Sequence, residues 1–149
     1  MHEIIPLDRV RTPALQRLRR DWEIWRRGRE FPARADFDPL DLKYILGHLS
    51  LVDVLQDPLR FHYRVHGSNT SERIGIDMTG KMLDVMPDDI FRKIVIEHFT
   101  EVIKSRAPVL SYRENHTTDH RILNDEALVL PLSKDGRNID MLLIGYCWD

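Results

Sequence analysis

The stretch RFHYRVHGSNTSERIGIDMTGK (Arg60–Lys81) decides how this chain is read. It opens with alternation: Phe61, Tyr63 and Val65 are apolar, and Arg60, His62, Arg64 and His66 between and around them are polar. That period of two belongs to a strand with one buried face. The residues from Gly67 to Gly75 then read as a short polar helix, which Ser68 can cap and Gly75 can end, with Asp77 as a second cap-like residue. Gly75–Lys81 also matches the G-x-x-x-x-G-K part of a phosphate-binding loop. The match fails at Met82, where a hydroxyl should hold magnesium, and a polar helix stands where a buried parallel strand should precede the loop.

Upstream, the residues from Leu49 to Gln56 are mostly aliphatic or β-branched, and Asp57-Pro58 turns the chain into the Phe61 strand, so the two form a hairpin. Downstream, Pro87 opens the longest helix of the chain's middle. Its apolar face carries Phe91, Ile94, Val95, His98, Phe99, Val102 and Ile103, and Pro108 ends it. The last third reads as three strands, Val109–His116, Ile122–Leu132 and Ile139–Trp148, broken by Thr118-Asp119-His120 and by Ser133-Lys134-Asp135-Gly136. The economical fold is α+β: one five-stranded antiparallel sheet with helices on one face.

Ahead of the sheet, Thr12-Pro13 opens a helix that Gly28 stops. Leu15, Leu18, Trp22 and Trp25 form a narrow apolar stripe along it, between many arginines. Pro32 marks an extended connector, and Asp38-Pro39-Leu40-Asp41 opens a short helix ending at Gly47. Residues 1–38 are thus expected to be a helical extension and connector, and residues 39–149 the domain proper. Two indoles and two leucines must pack against something. Either the helix folds onto its own sheet, or it pairs with the same helix of a second copy; the small area of the stripe favours a homodimer.

A chain of 149 residues, 42% hydrophobic, supports one well-buried core. The formal charge of −2 gives no overall reason to bind nucleic acid, and no apolar run is long enough for a membrane span. The start, MHEIIPLDRVRTP, lacks the apolar region of a secretory signal, so a cytoplasmic protein is expected. A single cysteine, Cys147, excludes an internal disulfide and any CxxC pair. Nine arginines between Arg9 and Arg34 make one end locally basic. Without interleaved aromatic residues or a reading helix, they fit a solvated helix face better than a nucleic-acid surface.

The order of elements, with the N-terminal helix bearing Trp22 and Trp25, Ala35-Asp36-Phe37-Asp38-Pro39, Tyr63-Arg64-Val65-His66-Gly67-Ser68, Gly75–Lys81 and the close Leu130-Pro131-Leu132-Ser133-Lys134-Asp135-Gly136, resembles small stand-alone bacterial PAS-domain proteins. The resemblance covers nearly the whole chain. It implies a sensory or docking module of signal transduction, often dimeric and without an output domain of its own, but it names no ligand. The alternative is an adaptor that recruits a signalling partner without any ligand.

The sequence itself points to one place for a ligand. Phe61, Tyr63 and Val65 on the sheet would face Phe91, Ile94, His98 and Val102 on the long helix. Haem-binding PAS domains carry a histidine on this helix, so His98 is the residue to weigh for haem, against the commoner role of a core histidine with a hydrogen-bond partner. Flavin photochemistry needs a cysteine on a short helix, whereas Cys147 lies on the last strand. His62 with His66, and His116 with His120 beside Asp119, each fall short of the three or four ligands of a metal site. No nucleophile stands beside a base and an acid, so no enzyme activity is expected.

Overall fold

The computed structural model describes residues 2–118 and 121–148. Strand β1 (His2–Ile5) leads to helix α1 (Pro13–Arg26), which 3-10 turns at 34–36, 39–42 and 46–48 connect to the hairpin of β2 (Leu49–Leu55) and β3 (Arg60–His66). Helix α2 (Ser68–Ile74) follows, then the long helix α3 (Asp89–Ser105) and the strands β4 (Val109–Thr118), β5 (Arg121–Leu132) and β6 (Met141–Trp148). The strands form one sheet in the order β1-β4-β5-β6-β2-β3, every neighbouring pair antiparallel. The sheet has six strands rather than five. The added one, β1, pairs with β4 from Ile5 opposite Leu110 to His2 opposite Arg113, and at four residues it is too short to show an alternating pattern in sequence.

Helices cover both faces, not one. Along β6 the residues Met141 to Gly145 are all buried, as in a strand enclosed from two sides. Ile144 and Tyr146 face α3, while Gly145 faces α1. Leu15 and Leu18 of α1 are fully buried and Trp22 nearly so, and the Trp22 indole donates to the Pro131 carbonyl at 3.0 Å. Trp25 stacks on Phe37, ring centres 4.4 Å apart. Leu15, Leu18 and Trp22 are therefore spent inside the chain, with Trp25 half-buried against Phe37, which corrects the stripe's expected use as a dimer or docking surface. The physical reason is the sheet itself: β5 and β6 carry apolar side chains on both faces, and α1 is what covers the second. It packs into the same hydrophobic core as the strands.

Two local devices let α1 lie there. Gly145 has no side chain, and a Cβ at that position would stand 2.6 Å from Leu15 Cδ2 and 2.9 Å from Leu18 Cδ2. The second device is Glu126. It is buried on β5, and its carboxylate accepts the backbone N–H groups of Arg11 and Thr12, both at 2.8 Å. The Thr12 hydroxyl makes no capping bond, so a side chain more than a hundred residues away holds the helix start instead. Within the rest of the fold, Asp88 caps α3 through the Phe91 N–H, and the segment read as a helix from Asp38 forms only 3-10 turns.

Gly145→Ala should cost about 1–3 kcal/mol in urea unfolding, because the two leucine tips it strikes are themselves fully enclosed. Glu126→Ala leaves two N–H groups at the helix start without their acceptor, and a loss of about 2–3 kcal/mol in the same measurement is expected.

Candidate functional site

Three strand residues beneath α3 are too short to reach it: Ser50 on β2, Ser111 on β4 and Ala127 on β5. Above them a cavity of about 80 Å³ remains. A water needs roughly 10–15 Å³ in such a space, so this is room for a small molecule and not a packing fault. Phe91, Ile94, Val95 and His98 of α3 form its roof, and Tyr63, His66 and Thr70 line it from β3 and α2. A wider depression of about 570 Å³ shares Ile74, Met86, Phe91, Arg113, Asp125 and Tyr146 with the cavity and adds Gly75, Pro87 and Ile90, which marks the way out to solvent.

The mouth is held by charge. Arg73 on α2 donates to Asp125 Oδ1 at 2.6 Å, and the Tyr146 hydroxyl donates to Asp125 Oδ2 at 2.7 Å. The guanidinium lies 4.7 Å from the centre of the Trp148 ring. Burial, with the adjoining Asp125 carboxylate, pushes the Tyr146 phenol well above its ordinary pKa, so it stays a donor. The pair ties the short helix α2 to the centre of the sheet. Removing either partner would leave a charge largely out of water.

His66 knits the other end. Its Nδ1 accepts the Met78 N–H at 3.0 Å and lies 2.9 Å from the Ser71 hydroxyl. A backbone N–H can only donate, so Nδ1 is unprotonated and the neutral ring carries its hydrogen on Nε2. Burial holds the pKa below the ordinary value, against the opposing pull of Asp77, whose carboxylate stands 4.0 Å away. Near it, the Thr70 hydroxyl is buried with no hydrogen-bond partner among the described residues, a cost of about 1–3 kcal/mol in a protein interior.

Of the residues expected to line a pocket, Tyr63, Phe91, Ile94 and His98 do so. Phe61 and Val102 are buried in the core beside it, Phe61 edge-on to Phe99 at 5.3 Å. Val65 is 46% exposed, and His66 is the inward residue in its place. The cause is a β-bulge: Leu51 pairs with Val65 but Val52 pairs with Tyr63, so Arg64 is an extra residue and the alternation reverses after it. The bulge also leaves His62 partly exposed beside Asp53 while His66 is buried, which ends the idea of a shared metal. His116, Asp119 and His120 lie outside the described side chains. Among the described residues, no three His, Cys, Asp or Glu side chains gather as metal ligands.

At about 80 Å³ the enclosed space is smaller than the ~300–1,000 Å³ that drug-sized ligands occupy. Cys147 is paired with Glu126 on the sheet face that α1 covers, away from the cavity, and burial with the nearby Glu126 pushes its thiol up to about 11. The sequence reading missed Ser50, Ser111, Ala127 and Thr70. Small or hydroxyl residues inside otherwise apolar strands were the available signal for the cavity floor. The Arg73–Asp125 pair had none, because its partners are 52 positions apart.

The PAS domain family model matches residues 10–146. This chain belongs to the PAS domain family. The match runs from the residue after β1 and its following turn, through α1, to Tyr146 in β6, so the N-terminal helix lies within the matched span. Neither a curated protein nor a solved structure matches the chain. PAS domains are in general sensory and regulatory modules rather than catalysts, and this one has, among its described residues, no helix long and apolar enough to cross a membrane.

The geometry of His66 carries a pH dependence. Its folded pKa lies below the free value of 6.5, so between the two values the unfolded chain binds the extra proton and stability rises with pH. The contribution is complete above 6.5 and is lost as the pH falls from there through the folded value. Urea unfolding from pH 7.5 to 5 should show wild type losing up to ~1.4 kcal/mol per pH unit more than His66→Asn, whose amide oxygen replaces Nδ1 without titrating. Parallel curves would show that His66 is not the group responsible.

Proposed function

We propose that this PAS domain is a ligand-binding sensory domain of bacterial signal transduction, working in the cytoplasm and without catalytic activity of its own. The observation that carries the reading is the cavity between α3 and the sheet, with its polar side chains, its charge-held mouth and its opening to solvent. Occupancy would act on the elements that meet there: α3 as roof, α2 as latch, and the central strands as floor. A signalling partner, or a second copy in a homodimer, would read the change on a surface other than the inward stripe of α1.

The lack of catalysis has its own support. The closest approach to a nucleophile and base in the site is Ser71 with His66, and the nitrogen that would take the serine's proton already accepts the Met78 N–H. A ligand-free adaptor, docking through its sheet or its N-terminal helix, draws less support, since the helix route would use side chains already buried and only the sheet route remains.

Mass spectrometry of natively purified protein should find a small molecule retained in wild type, and Ala127→Met, which extends a side chain from the floor into the cavity, should lose it with the fold intact by circular dichroism. Protein that emerges empty from its native host, or ligand held equally by the filled variant, would move the balance to the adaptor.

A further inference from the structure

We propose that the inner end of the cavity selects an uncharged group bearing one oxygen, a short ketone or alcohol, which the Thr70 hydroxyl holds. This deepens the ligand reading above and rests on it. Thr70 lines the cavity, is 7% exposed, and its Oγ1 makes no hydrogen bond to any described residue. A hydroxyl in that position has given up water and received nothing in exchange, so a ligand oxygen meeting it gains a bond that costs no further desolvation of the protein. The hydroxyl both donates and accepts, which suits a carbonyl or another hydroxyl.

The walls set the rest of the chemistry. Ile94, Val95 and Phe99 of α3, with Val129 and Ile144 of the sheet, demand an apolar body. The charged side chains that reach the cavity, Arg113 and Asp125, stand at the end it shares with the outer depression, and Asp125 is bound by Arg73 and Tyr146. Deeper in, His66 presents a neutral ring whose Nδ1 is engaged by Met78. A carboxylate carried to the inner end would lose its water beside neutral groups, which disfavours anions of the same size. Volume limits the group as well. A cavity of ~150 Å³ takes up benzene with its six carbons, so about 80 Å³ suits roughly three or four non-hydrogen atoms.

The test uses the full chain and four small probes, followed by amide and methyl shifts in NMR titrations at pH 7.5. Xenon reports the cavity without asking for an oxygen; acetone and 2-propanol ask for one; acetate, with the same number of non-hydrogen atoms, adds a charge. Wild type should take xenon, bind acetone and 2-propanol, and bind acetate at least about tenfold more weakly. Thr70→Val should unfold no earlier than wild type on heating, take xenon unchanged, and lose about tenfold in affinity for the ketone and the alcohol, while Thr70→Ser recovers it. Acetone binding that ignores Thr70→Val, or acetate binding as tightly as 2-propanol, sinks the inference while leaving the cavity standing. Xenon excluded from wild type removes the cavity, and both readings go with it.

Discussion

The molecule depends on hiding both faces of the centre of its sheet. Met141 to Gly145 of β6 are buried in succession, and β5 is similar from Leu128 to Leu132. A sheet with one wet face would alternate there; this one cannot, so two separate layers of helix must be supplied by one short chain. α1 supplies one and α3 the other. Everything distinctive about the N-terminal third follows from that demand: the absent side chain at Gly145, the Glu126 carboxylate that receives the start of α1, and the Trp22 indole that finds the Pro131 carbonyl.

The two layers are not packed alike. Under α1 the leucines meet a glycine and close the gap completely. Under α3 the sheet offers Ser50, Ser111 and Ala127, and a space remains. Polar groups near that space are mostly engaged: His66 with Met78 and Ser71, Asp125 with Arg73 and Tyr146. These contacts hold α2 to the centre of the sheet and the segment after it to the edge strand β3, where Gly80 and Lys81 also exchange backbone hydrogen bonds with Tyr63. A helix roof over small side chains, fastened at its margins by polar contacts, is an arrangement in which filling the space can shift the roof relative to the floor.

Much of this was legible in the residues. The alternation of β3, the stripe of α3 and the glycine after α2 each follow from local rules, since helix and strand periods are set by backbone geometry. The failures have equally local causes. One extra residue at Arg64 turned Val65 outward and His66 inward, and a pattern of three apolar positions in a seven-residue strand cannot reveal a bulge. The stripe of α1 was visible, but its partner was not: a row of leucines and tryptophans is the same whether it meets its own sheet or another chain.

Local patterns in the chain were enough for the class of fold, the family, the run of elements from the first helix to the last strand, and four of the residues that line the cavity. These depend on periodicity and on short motifs, which are written in neighbouring positions. Packing in three dimensions was needed to settle which face of the sheet each helix covers, that Glu126 and not Thr12 caps α1, that Arg73 meets Asp125, and that the Thr70 hydroxyl finds no partner among the described residues. Those outcomes join residues far apart in the chain, and their energies exist only once the strands are in register and the helices are in place.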